Sequence, residues 1–451
     1  MPQPQYTSIS LASAIQQLAA RLNDSSNVHW SQTELQNAIV ESLRIFQSLT
    51  GFYRERVTFN TIVNTTFYDL RSALNTQSGS TYPYAFSVTD NQLLSEIQDH
   101  LNEPSTNPWT GTAQFSIPAI NAALQRARDQ FLSDTGVYCT RSTPFSGMPS
   151  NGRVQLPQST LDIRRAAWQD SSTLKTYGLV RTDEYAALGY SPSWPQQSSL
   201  PYSYSVAVTP PISIQLIPAP VNSGALDLCL LSSGPTLSCD PANPVILGVP
   251  DGFCWAVKYG ALADLLSEDG PSTDHARSAY CRTLYQLAMM SARNTVTVLL
   301  GRIQDIETPV GSIDDYDRYK TDWQNLAAAT PTDIFQIAPN LLGLLPQPDT
   351  IYTLSLDMAR SMPVPQTGGD FLQVALDTLE PILDMSQHIA SFKLGGQEFM
   401  QTTLLRDNFL RMAGLMNARL KANVYYNLML SQPATRQDKS VPRLVSVGES
   451  A

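Results

Sequence analysis

His29, His100, His275 and His388 are the side chains best suited to moving a proton or holding a metal. None lies at ligand spacing from another or from a cysteine. Zinc needs three or four converging nitrogen and sulfur ligands, and neither HExxH nor CxxC occurs, so no metal and no cofactor is expected. His100 and His275 fall on predicted helices and take structural roles. No GxSxG elbow, GxxxxGK loop or GxGxxG turn is present. Asp314-Asp315-Tyr316-Asp317, with Asp305 and Glu307 nearby, offers the oxygen ligands calcium prefers. It lacks the turn glycine and closing glutamate of an EF-hand loop and reads as a solvated acidic stretch. Arg164-Arg165 could meet a phosphate; pairing with nearby carboxylates is the simpler reading. Arg436, Lys439 and Arg443, in a polar tail, could dock on an acidic neighbour. No catalytic residue is assigned, so the chain reads as no enzyme.

The wider composition agrees. The chain has 451 residues, 42% of them hydrophobic and only 15% charged, with 31 Pro. Average soluble proteins carry about 25% charge. A low-charge, polar-uncharged surface suits a protein covered by neighbours. The net charge is −10, and six of the 29 basic residues are Lys. Tight, sequence-independent nucleic-acid binding needs clustered cations and is not expected. Five Cys, an odd number without pairing motifs, fit a reduced cytoplasmic setting. No signal peptide and no membrane-spanning run is read.

Two internal repeats organise the chain. Residues 30–56 align without gaps on 115–141, 85 positions later, with eight identities in 27 positions; chance gives about two. The identities include Thr50, Gly51 and Tyr53 against Thr135, Gly136 and Tyr138. Each copy reads as a helix that starts at Ser31 or Ser116 and ends at a glycine turn, preceded by a shorter helix. A fainter repeat, offset by 128, sets Leu216-Ile217-Pro218-Ala219-Pro220 and Leu226-Asp227-Leu228 against Leu344-Leu345-Pro346-Gln347-Pro348 and Leu354-Ser355-Leu356.

The expected fold class is α+β and mostly helical: helical-hairpin repeats packed with antiparallel β segments, then a flexible C-terminal tail. The expected divisions are a duplicated helical-hairpin region over 1–145, an antiparallel β domain over 146–250 and a helical segment over 251–305. A linker over 306–340, a second β-hairpin plus helical region over 341–430 and a flexible tail over 431–451 follow. Asp269-Gly270-Pro271 is expected to be a turn.

Three motifs occur in a telling order. Leu156-Pro157 leads to Arg164-Arg165 and Trp168, then Leu216-Ile217-Pro218-Ala219-Pro220, then Pro250, Phe253 and Tyr259-Gly260-Ala261-Leu262-Ala263. With the Thr50-Gly51-Phe52-Tyr53-Arg54 helix end, this order resembles the head-to-tail adaptor, or connector, proteins of tailed phages over about residues 25–290. The resemblance implies a structural virion protein of the neck, assembled in the host cytoplasm. It implies a ring, usually a homododecamer, beneath the portal protein, which extends the DNA channel and attaches a tail or nozzle protein, with tail fibres as a further expected partner. Twelve such chains would carry about 120 negative charges past which DNA slides without adhering. The alternative is another tail component, such as a tail-tube, baseplate or fibre-attachment protein.

Overall fold

Each long helix has a shorter one before it, and the same devices start and stop both pairs. The computed structural model describes residues 6–75, 85–103, 114–141, 145–146, 152–207, 212–268, 273–294, 298–313, 316–317 and 322–420. Ser10 caps α1 (Leu11–Arg21), Ser31 caps α2 (Gln32–Thr50) and α3 (Leu70–Asn75) comes later. Thr89 caps α4 (Asp90–Leu101) and Ser116 caps α5 (Ile117–Thr135). Each cap oxygen accepts an N–H that has no partner inside the helix. A carboxylate shapes each inter-helix turn: Asp24 accepts the N–H groups of Val28, His29 and Trp30, and Glu103 those of Gln114 and Phe115. Both long helices close on a left-handed glycine, Gly51 at φ 57° and Gly136 at φ 60°.

The strands after these helices join the two sequence repeats into one. β1 (Arg54–Asn60) follows α2 and pairs with β16 (Thr353–Ala359), so that Glu55 faces Met358 and Arg56 faces Asp357. β3 (Thr140–Arg141) follows α5 and pairs with β10 (Gly224–Ser232), so that Thr140 faces Leu230 and Arg141 faces Cys229. The first partners differ by 85 positions and the second by 128. The register is therefore the same, and the two repeats are halves of a single duplicated module.

The remaining strands extend the correspondence. One copy adds β4 (Phe145–Ser146), β5 (Arg153–Gln155), β6 (Thr160–Asp170), β7 (Thr176–Arg181), β8 (Ser203–Ala207) and β9 (Ser213–Ile217). Its sheet runs β3-β10-β6-β7-β8-β9-β5, with β4 also on β10. The other adds β2 (Phe67–Asp69), β11 (Val298–Ile303), β12 (Ile306–Thr308), β13 (Val310–Ser312), β14 (Asp333–Ala338) and β15 (Leu341–Leu345). Its order is β1-β16-β11-β12 and β13-β14-β15-β2. This is the same order, split at Pro309, which has no N–H to give a ladder. The parallel neighbours, β7–β8 and β13–β14, occupy the same place in both. The peptides before Pro218 and Pro346 are both cis. Two helices end each copy: α7 (Cys254–Ser267) and α8 (His275–Asn294) in one, α9 (Leu376–Ala390) and α10 (Thr403–Leu420) in the other. The copy from α4 to α8 is thus inserted in the other, which resumes at β11.

The cores repeat as well. Ile214, Leu216, Leu226, Leu228 and Leu230 are buried in the inserted sheet; Leu342, Leu344, Leu354, Leu356 and Met358, each 128 residues on, are buried in the outer one. Alternate residues of a strand share a face, and full burial of such a side chain stabilises by about 1.5–3 kcal/mol. By contacts the chain divides into two compact units, 1–52 with 363–451, and 53–362. The first contains α1, α2, α9 and α10. The second contains the whole inserted module and both outer sheets.

These findings correct the expectation of a mostly helical fold built from hairpin repeats. The helix pairs are present, but the repeated unit is itself α+β, and sixteen strands are named among the described residues. Strands of two or three residues, such as β2, β12 and β13, are too short for alternation to reveal. Residues 306–340, read as a linker, contain β12, β13 and β14, with Ile334, Phe335, Ile337 and Ala338 buried. The turn read at Asp269-Gly270-Pro271 and the tail over 431–451 lie outside the described residues.

Candidate functional site

The repeated helix ends are built alike. The Thr50 hydroxyl donates to the Phe46 carbonyl at 2.7 Å and accepts the Phe52 N–H; the Thr135 hydroxyl donates to the Phe131 carbonyl at 2.7 Å and accepts the Val137 N–H. With Gly51 and Gly136 these side chains turn the backbone out of each helix. Tyr53 is buried. The Tyr138 hydroxyl accepts from Arg71 at 2.8 Å, and the Arg71 guanidinium lies over the Phe86 and Tyr138 rings at 4.8 and 5.3 Å. These contacts hold the chain reversal.

A polar arrangement in the second unit joins the two modules. Arg165, on β6, is buried, with Nε 2.8 Å and Nη2 3.1 Å from the Asp317 carboxylate. Nη2 also donates to Gln324 at 3.0 Å, and the guanidinium sits 5.4 Å from the Trp323 ring centre. Asn325 bonds both backbone groups of Thr176, at 2.8 and 3.0 Å, and buried Asn340 bonds both of Cys139, at 3.2 and 2.8 Å. Arg141 holds Asp227 at 2.8 and 3.0 Å and stacks on Phe67 at 4.5 Å. Beneath them Phe67, Trp323, Phe335, Cys139, Cys229 and Leu231 share one apolar core. Asp317, Trp323, Gln324 and Asn325, between β13 and β14 of the outer module, therefore clasp the face of the inserted sheet. Of the double arginine, Arg165 is committed to Asp317 and serves this clasp, while Arg164 is exposed. Asp314 and Asp315 lie outside the described residues.

Two clefts open in the second unit. One of about 330 Å³ is lined by Phe67, Arg141, Thr176, Asp227, Gln324 and Gln347. Its arginine and aspartate neutralise each other, which leaves no net charge to recognise an ion. The other, about 390 Å³, lies among α5, α7 and α8, with Asp134, Asp264, Arg282 and Tyr285 on its walls.

The buried titratable groups are held for packing. Lys258 on α7 donates to Glu96 at 3.0 Å, and burial pulls its pKa down to about 7. His388 Nδ1 is 2.8 Å from the Thr402 hydroxyl, with its ring stacked on Phe399 at 4.8 Å. Burial, then Arg406, lowers its pKa to about 3, so it is neutral near pH 7. All five cysteines are free and buried. Burial pushes Cys139 and Cys239 up to about 12 and Cys229 to about 11, so they stand as thiols rather than nucleophilic thiolates. No cluster of three or more metal-ligating side chains occurs among the described residues. None of their helices is long and apolar enough to cross a membrane. Arg436, Lys439 and Arg443 lie outside the described residues. Phe67, Asn325 and Asn340 were not singled out from sequence: they sit in a three-residue strand, a three-residue 3-10 helix and a turn, outside both repeats.

Residues 80–302 match the family model described as SU10 adaptor protein. The matched stretch begins before α4, covers the inserted module and ends in β11. Over these residues the chain is similar to a phage adaptor-type structural protein. No curated protein matches the sequence.

Proposed function

We propose that this protein is a structural, non-catalytic component of a phage virion: a head-to-tail adaptor. It forms a ring beneath the portal, extends the DNA channel and attaches the tail or nozzle. The observation that carries this reading is the adaptor-family match, which coincides with one complete structural module. The electrostatics support it. A chain of net charge −10 with few lysines lets DNA pass without binding it. The charges in the module junction are paired with one another, as suits a scaffold. In this reading the chain sits in the neck or tail of the virion and is assembled in the host cytoplasm. Its partners are copies of itself, the portal, the tail or nozzle protein and tail fibres. The basic residues Arg436, Lys439 and Arg443 supply a docking tail for the portal.

Co-expression with the portal of the same genome, followed by electron microscopy of the purified particles, tests the reading. A stacked ring that extends the portal is the expected result. Bare portals, with the protein found distally in the intact virion, would assign it to another tail component. Truncation after residue 430 should leave the fold intact and weaken portal attachment; unchanged attachment removes the tail from the proposal.

A further inference from the structure

Within one chain, the outer module's segment between β13 and β14 lies on the outward face of the inserted sheet, through Asp317, Trp323 and Asn325. Both sides of this contact have a counterpart elsewhere in the chain. In the inserted module the segment corresponding to the clasp runs from β7 to β8, over 182–202. The face corresponding to the clasped one, in the outer module, is made by β1, β16, β11 and β12, with Leu300 at the position of Arg165. There Arg56 and Asp357 repeat the pairing of Arg141 with Asp227, and Arg302 stands beside them. One contact is thus made inside the chain, while a second clasp and a second face of the same descent remain.

The remaining clasp looks like an interface surface. It holds α6 (Glu184–Tyr190) and exposes Tyr185 at 82%, Tyr190 at 90% and Tyr202 at 53%, with Leu188 and Leu200 beside them. Five large apolar or aromatic side chains exposed within 18 residues need cover, and tyrosine is enriched where proteins meet. Exposed Asp183 precedes them, as Asp317 precedes Trp323 in the internal clasp. The remaining face offers the complement: exposed Arg56, already bidentate with Asp357, and half-buried Arg302 beside them are guanidinium surfaces on which tyrosine rings stack, with Ile62 and Ile351 exposed at its rim.

We infer that residues 182–202 of one chain dock on the β1–β16–β11 face of a second copy, repeating between chains the contact the two modules make within one. The contact is heterologous, so it leaves the same two surfaces free at the ends of any open chain and is satisfied throughout only by closure. Inserted and outer modules alternate around such a ring, so the modules number twice the chains. The inference rests on the ring reading above and specifies its lateral interface.

Cross-linking of the full chain assembled with the portal tests it. Tyr185→Cys and Thr58→Cys, combined in one chain, should give a ladder of covalent multimers with a short bismaleimide. Neither single variant should, because the five native thiols are buried. Tyr185→Asp with Tyr190→Asp should weaken self-association at least tenfold in analytical ultracentrifugation. Portal-bound rings with no ladder and unweakened association would overturn the inference and leave the adaptor reading standing. Dimers from Tyr185→Cys alone would also overturn it, since they mean the patch pairs with itself. A ladder in protein that never joins the portal would uphold the contact and remove the adaptor reading.

Discussion

Arg141 reaches diagonally across the β3–β10 pair to Asp227, whereas Arg56, its counterpart 85 residues earlier, meets Asp357 directly across β1–β16. Both pairs are bidentate. The acid has slid by one step along the same face: Cys229 stands where Asp357 stands, and Asp227 where Ser355 stands. What separates the two is their cover. Arg141 is stacked on Phe67, while Arg56 is largely exposed. Arg141→Met should therefore destabilise the unassembled protein by about 1 kcal/mol, from a partly screened ion pair and a cation–π contact. Arg56→Met should leave its stability unchanged. Urea unfolding separates the two; equal losses would mean that the Phe67 stacking adds nothing.

Asn340 makes a sharper prediction. Its buried side chain accepts the Cys139 N–H and donates to the Cys139 carbonyl. Asn340→Leu would strand both groups, each costing about 1–3 kcal/mol. Asn340→Asp keeps the acceptor and loses the donor. Amide exchange at Cys139 should quicken in the leucine variant and stay slow in the aspartate variant. Equal protection in both would show that the side chain does not hold this strand start.

His388 sets an acid limit on the first unit. Its pKa is lowered from an ordinary 6.5 to about 3 by burial. The unfolded chain therefore binds the proton first as pH falls. Stability is full above about 6.5 and falls as pH drops towards 3, by at most about 1.4 kcal/mol per pH unit from this group. His388→Gln should flatten that part of the curve of thermal stability against pH. An unchanged slope would assign the acid sensitivity to carboxylates.

Gly51 and Gly136 should tolerate alanine poorly. Each is left-handed, at φ 57° and 60°. Gly51→Ala or Gly136→Ala should cost about 1 kcal/mol, and asparagine less, because its side chain accepts this conformation more readily. Differential scanning calorimetry would show a lower Tm for alanine than for asparagine at either site.

Local signals in the sequence carried far. Ser31, Ser116, Gly51 and Gly136 mark helix ends through chemistry that acts within four residues. The Leu-x-Leu spacing around Leu226 and Leu354 marks strands that bury one face. That the two repeats are one could not be read along the chain, because the inserted copy separates Arg56 from Asp357 by 301 positions. Only pairing across that gap shows the shared register. The clasp stayed hidden for a related reason. Asp317, Trp323 and Asn325 lie outside the strands, and their partners Arg165 and Thr176 are about 150 residues away. A run of acids near one tryptophan reads as solvated until its cation is located.

Nested insertion also imposes an order on synthesis. Every residue of the inserted module leaves the ribosome before β16, the partner of β1, exists. At about 5–20 residues per second, β1 waits roughly 15–60 s for that partner. During this interval it is an unsatisfied strand, open to pairing with any neighbouring nascent chain. It begins Arg54-Glu55-Arg56. Charges at the head of a strand discourage such pairing, so the residues that later face Ala359, Met358 and Asp357 can first serve as guards during translation.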